Sequence, residues 1–245
     1  MTKSILKKLF DHKINQKTRN VLLATAATTT LASVPSMAQA ADLPGYSATY
    51  KVSADGKTGT ATRTLTKTGN NYKYTVNAHA AGIATLSQTA SFSLSGGRIV
   101  PSSSSMSARI LGVGNTHSVQ FNNRAKNVVS TYKGKATTIA MPRQAYDDLS
   151  LEAQIRQELI DGKFSGSYPL VKRTTIETTR FKKAGSSKIT VPAGTYDVVR
   201  IDRIHDDRDR ATSFWLAPSL NYLPIKVSQT VDGKEISMEL TKVNK

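Results

Sequence analysis

The chain has no cysteine in 245 residues, which excludes disulfide staples, zinc ribbons, thiol catalysis and lipid attachment through an N-terminal cysteine. Histidine and tryptophan are scarce, with four and one in the whole chain. Acidic residues are few: 17 Asp+Glu face 34 Lys+Arg, a net charge of +17. No apolar run reaches the ~20 residues that a spanning helix needs, so no integral membrane segment is expected. Gly-x-Ser-x-Gly, His-Glu-x-x-His, the phosphate-binding Gly-Lys-Ser loop and the dinucleotide fingerprint are all missing, and the expectation is a non-catalytic protein without a cofactor. With 38% hydrophobic and 21% charged residues, the composition fits a folded soluble domain.

What is present begins with an address. Lys3, Lys7, Lys8, Lys13, Lys17 and Arg19, against Asp11 alone, precede an uncharged stretch from Val21 to Val34, then Pro35 and Ala38-Gln39-Ala40. Basic, apolar and small-residue segments in this order predict a signal peptide over residues 1–40, cleaved after Ala40, and a single exported domain over 41–245. In a cell with two membranes the destination is the periplasm. Residues 41–245 keep 28 Lys+Arg and 16 Asp+Glu, so the excess of +12 belongs to the domain itself. Outside the cytoplasm such a charge meets lipid phosphates, lipopolysaccharide and wall carboxylates, and nucleic acid is not expected as a partner.

Period two dominates the rest. Tyr46, Ala48, Tyr50 and Val52 alternate with polar residues, as do Tyr72, Tyr74, Val76 and Ala78, then Ala90, Phe92 and Leu94, and later Leu223, Ile225 and Val227 and Ile236, Met238 and Leu240. Such alternation places one face of each strand in a core and the other in water. Asp55-Gly56 and Asp232-Gly233 signal two-residue hairpins, because both residues tolerate the positive φ of a primed turn. Gly69-Asn70-Asn71, Gly96-Gly97, Asn122-Asn123, Lys133-Gly134 and Ala184-Gly185 mark further turns, and Pro192 with Gly194 reverses the chain again. Roughly twelve to fourteen strands result. Ser102 to Ser105 are expected to form an extended connector.

One stretch has helical spacing. Leu151, Ile155 and Leu159 recur every fourth residue, Asp148 or Ser150 can cap the start, and Gly162 can take a left-handed stop. A helix of about eleven residues, Ser150 to Ile160, is predicted, with Glu152, Gln154, Arg156, Gln157 and Glu158 on its polar face. The fold class is therefore all-β: a strongly curved antiparallel sheet, half-barrel or β-spiral, with one short helix packed on the concave side.

Three segments resemble the exported bacterial family catalogued as domain-of-unknown-function family 3108. They are Tyr146-Asp147-Asp148-Leu149-Ser150 with Arg156, Val191-Pro192-Ala193-Gly194-Thr195-Tyr196 leading into Val198 to Ile201, and Phe214-Trp215-Leu216-Ala217 followed by Leu223-Pro224-Ile225. The resemblance spans about Tyr46 to Leu240. It implies an envelope protein with an open or spiral sheet, similar in outline to half-barrels that carry lipoproteins, and no catalytic residue to carry over.

Candidate sites follow from chemistry. Leu151, Ile155 and Leu159, with Trp215, are the apolar residues expected to line a groove for a lipid-like or protein ligand. Asp202 to Arg210 is the densest polar stretch, and its Arg203, Arg208 and Arg210 are candidate contacts to an anion or partner. The same arginines compete for the carboxylates that would let His205 and Asp206 hold a metal or activate water, so a hydrolase or metal site there is the lesser alternative. A basic surface that meets cell wall or outer-membrane components without a pocket is the other. His79 is expected in water and His117 partly buried and hydrogen-bonded.

Overall fold

The structure, a computed structural model, describes residues 42–80, 84–111 and 113–244. The expected leader over residues 1–40 lies outside the described residues. Eight strands form a meander: β1 (Tyr46–Ala54), β2 (Lys57–Thr68), β3 (Asn71–Ala80), β4 (Ala84–Ser95), β5 (Arg98–Ile110), β6 (Val113–Asn122), β7 (Asn127–Tyr132) and β8 (Lys135–Ala140). Helix α1 (Asp148–Ile160) follows, then β9 (Ser167–Val171), β10 (Ile176–Val191), β11 (Gly194–Ile204), β12 (Arg210–Ala217), β13 (Leu223–Val231) and β14 (Lys234–Asn244). All fourteen share one antiparallel sheet that runs from β8 down to β1, crosses to β14 and ends at β9.

The turns form where their chemistry places them. Asp55-Gly56 has φ of 50° and 73°, and Asp232-Gly233 has 51° and 73°, the left-handed pair of a primed hairpin turn. Ala184-Gly185 is a correction, because it lies inside β10. The β10–β11 register shifts between Lys183 and Ser186, and Gly185 at φ 104° absorbs the extra residue, so the strand bends and continues. Ser102 to Ser105 are also strand within β5: Ser103 to Ser105 pair to β4 and β6, and Ser102 is the extra residue of a bulge against β4. Ladder bonds use only the backbone, which serine supplies as well as valine does.

The helix starts earlier than its apolar spacing predicts. The carboxylate of Asp147 accepts from the backbone N–H of Leu149 at 3.0 Å and of Ser150 at 3.3 Å, and Ser150 Oγ accepts from the Asp147 N–H at 3.0 Å. This reciprocal box fixes the N-terminus, and Gly162 at φ 68° ends the helix at its other end.

The α1 residues Leu149, Leu151, Ile155 and Leu159 share one cluster with Tyr74 on β3, Phe92 on β4, Ile99 on β5, Leu170 on β9, Phe181 on β10 and Leu216 on β12. A single helix touches strands from both arms of the sheet only if the sheet wraps around it. Hence the expected polar face of α1 is a second correction: Gln154, Arg156 and Gln157 are 4%, 1% and 0% exposed. Gln154 Oε1 accepts from the Ile99 N–H at 2.7 Å, and Arg156 Nη2 donates to the Asn221 carbonyl at 3.2 Å.

Strands β8 and β9 end the sheet without pairing to each other. The segment before α1 bridges the gap: Tyr146 N–H donates to Pro169 O at 2.9 Å and Val171 N–H to Tyr146 O at 2.8 Å. Ser130 Oγ of β7 donates to Arg173 O at 2.7 Å, and Val128, Met141, Ala145 and Val171 pack together beneath. An open edge is thus covered by loop and side chains.

Candidate functional site

The lower interior is filled. Arg63 of β2 forms an ion pair with Glu152 of α1, whose Oε1 accepts from Tyr74 Oη at 2.6 Å; Tyr74 Oη also bonds Tyr46 Oη. The Arg63 guanidinium lies 5.3 Å from the Tyr74 ring centroid, and that of Arg156 lies 4.8 Å from that of Tyr46. Burial acts to push Arg63 down, but Glu152 together with Tyr74, Tyr46 and Tyr50 outweighs it and holds the guanidinium well above its ordinary value. Burial raises the Tyr74 and Tyr46 phenols, so both stay protonated as donors. This is the chemistry of an enclosed polar core, where one carboxylate pairs with Arg63 and tyrosine π-faces receive both Arg63 and Arg156.

Higher up, toward the N-terminal end of α1, the same concave face is uncovered. On β3 the helix-facing residues run Tyr72 3%, Tyr74 0% and Val76 7% exposed, and then Ala78 and Ala80 are half-buried. Strand β4 repeats the change: Phe92 and Ala90 are buried, while Leu86 and Ala84 are half-buried. Leu240 gives way to Met238 and Ile236 on β14, and Tyr50 to Val52 and Ala54 on β1. The registers Ala80–Ala84–Ile110–Val113 and Ala78–Leu86–Ala108 carry the strip onto β5 and β6. An apolar wall therefore extends past the helix that covers its lower half.

The opposite wall is cationic. Arg203 is cross-strand from Thr212, two residues beyond the core residue Ile201, and Arg210 is two residues before Thr212. Both arginines thus face the concave side, and both are half-buried. Lys172, after β9, is electrostatically coupled to both. Burial pushes Lys172 and Arg203 below their ordinary values; Asp148 and Glu177 oppose this, and Arg210 adds to it. The exposed Asp148, on the first turn of α1, is also coupled to His117, whose ring burial pushes down and whose Nε2 lies 2.9 Å from Ser130 Oγ. Cations thus gather around the helix start, opposite an apolar strip.

The sequence candidates are divided by this arrangement. Leu151, Ile155 and Leu159 are 3%, 7% and 5% exposed and are packed core. Trp215 is half-buried in a different cluster with Tyr50, Val198 and Ile225, under the Lys226 ammonium 5.7 Å from its ring. The structure does not bring these four together. Arg203 and Arg210 do share a face, whereas Arg208 is exposed in the turn between β11 and β12. Asp148 and Lys172 carry no local motif, and only the closing of the sheet brings them near Arg203. His205 Nε2 lies 2.9 Å from Thr212 Oγ1, and Asp206 is exposed. Among the described residues no group of three or more metal-ligating side chains is placed to hold an ion.

Among the described residues, the sheet, the enclosed helix α1 and side-chain closure define a barrel-like all-β protein. A solved beta-barrel-like protein of the domain of unknown function DUF1849 from Brucella abortus is similar, with a TM-score of 0.56 and 10% identity, over 82% of this chain and 97% of that chain. That likeness is one of fold. No curated protein matches the chain. The family described as "Protein of unknown function (DUF3108)" matches residues 46–241, and the chain belongs to it.

Proposed function

We propose that this is a non-catalytic, exported envelope protein that holds an anionic amphiphile on the upper concave face. The supporting observation is the pairing of a half-buried apolar strip with the half-buried Arg203 and Arg210 across from it. An acyl chain laid along Leu86, Ile110 and Met238 removes apolar surface from water, at about 25 cal/mol per Å². A carboxylate or phosphate head near Arg203, Arg210 and Lys172 relieves the mutual repulsion of these cations and accepts charge-assisted hydrogen bonds. The basic leader and small-residue cleavage pattern support the exported location.

Protein produced from the full sequence and purified without detergent is extracted with organic solvent and its lipids identified by mass spectrometry. The expected result is a stoichiometric anionic amphiphile, reduced severalfold by Leu86→Asp or Ile110→Asp, and shifted toward neutral lipids by Arg203→Ala with Arg210→Ala. An empty protein, or a lipid load unchanged in all these variants, overturns the reading.

A further inference from the structure

From Gly56 to Tyr146 the chain has no aspartate or glutamate, while eleven lysines and arginines fall in the same stretch. That stretch is β2 to β8, which are consecutive in the sheet, so one continuous arm of the barrel is free of carboxylates. Its one buried cation, Arg63, is matched by Glu152 from α1. The other cations have no acid within the arm to pair with.

At one end of this arm the β5–β6 hairpin, level with the ends of β3 and β4, projects past β7 and β8. Tyr132, the last residue of β7, is opposite His117, so the four residues Val113–Thr116 of β6 extend beyond it. At the tip, Leu111 is 64% and Val113 78% exposed. Beside them Ser107, Arg109, Gly114, Asn115, Thr116 and Lys133 line an open depression of about 410 Å³. Exposed aliphatic side chains, flanking cations and a polar recess are the parts an interfacial anchor needs: the first enter the acyl boundary and the others meet lipid phosphates. A soluble polyanion has no use for Leu111 and Val113.

We propose that the β5–β6 tip docks the protein on an anionic bilayer surface, Leu111 and Val113 inserting while Arg109 and Lys133 contact phosphates. It shares only Val113, at the end of the apolar strip, with the amphiphile reading; Leu111, Arg109 and Lys133 lie outside that reading, and the vesicle assay does not depend on a bound lipid.

Because the chain has no cysteine, Val113→Cys in the full-length protein carries a single environment-sensitive fluorophore. Asn70→Cys, in the turn at the opposite end of the meander, is the control. With phosphatidylglycerol-containing vesicles the label at 113 should shift to the blue and the label at 70 should not. Binding should be weak to phosphatidylcholine alone and fall steeply between about 0.05 M and about 0.5 M salt. Leu111→Ser with Val113→Ser should lower the bound fraction by about tenfold, and Arg109→Ala with Lys133→Ala should lower it and flatten the salt dependence. Equal binding to neutral vesicles, equal shifts at both ends, or unchanged binding of the serine variant overturns the proposal. So does a full shift at 113 produced by heparin alone, which assigns the face to a polyanion.

Discussion

Replacing Glu152 by glutamine should unfold the protein more readily than any surface charge change, because it removes the carboxylate that pairs with the enclosed Arg63. The side chains of Arg63 and Glu152 are 5% and 13% exposed, and Arg63 Nε and Arg156 Nη1 are buried without a hydrogen-bond partner. With glutamine, Tyr74 keeps an acceptor but the Arg63 guanidinium loses its counter-charge. Breaking a buried pair from one side costs about 3–5 kcal/mol, which in a domain of this size lowers Tm by about 6–20 °C. Urea unfolding followed through the single Trp215, with calorimetry for Tm, reads the loss. The double variant Arg63→Met, Glu152→Leu should recover much of it, since paired apolar replacements are often neutral, giving a coupling energy of about 2–4 kcal/mol. A cost for Glu152→Gln below about 1 kcal/mol, the range of exposed pairs, or a coupling near zero, refutes the enclosed-pair reasoning. If Glu152→Gln does not fold, the double variant still decides the question, because it should.

Three further outcomes are expected. Burial pushes the Asp147 carboxyl from 3.8 up to about 6, against hydrogen bonds from Ser150 and Leu149. The folded state then binds this proton more tightly than the unfolded state, so the contribution is present below about pH 4 and is lost as pH rises through about 6. Asp147→Asn keeps the cap and should flatten the stability profile between about pH 4 and 6, measured by urea midpoints; an unchanged slope contradicts the assignment. A Cβ on Gly59 falls 2.2 Å from the His79 carbonyl oxygen, so Gly59→Ala should cost about 1–3 kcal/mol, and a neutral result in thermal melts argues against that close approach. Leu151→Ala should cost about 2–5 kcal/mol, as for a core leucine, with the lipid content of the protein unchanged; the reverse pattern makes Leu151 a ligand contact.

Alternation and turn residues made most of the sheet legible. Strand phase at Tyr46 to Val52 or Ala90 to Leu94 needs only period two, and Asp-Gly pairs show their own φ. The count of twelve to fourteen strands and the helix at Asp148–Ile160 were readable for that reason. Ala184-Gly185 misled because small flexible residues serve a bulge as readily as a turn, and only the partner register tells them apart. The buried Arg156 and Gln157 were not legible, since their enclosure depends on strands far away in sequence. The concave setting of Arg203 and Arg210 was partly readable: each keeps phase with its strand's core residues, whereas Arg208, grouped with them by proximity in sequence, lies in the turn. Lys172 and Asp148 join them through closure of β9 against the segment before α1, which no local pattern encodes.

The pairing of β1 with β14 sets the timing of assembly. Ser47 lies opposite Asn244 and Ala54 opposite Ile236, so the seam in the middle of the sheet closes only when β14 has been made. A chain made from its amino end must wait with β1 exposed along one side until β14 has been made. In that open interval β1 offers an unpaired edge to other chains, and joining β14 to β1 by a short linker while cutting a distant turn should shorten it.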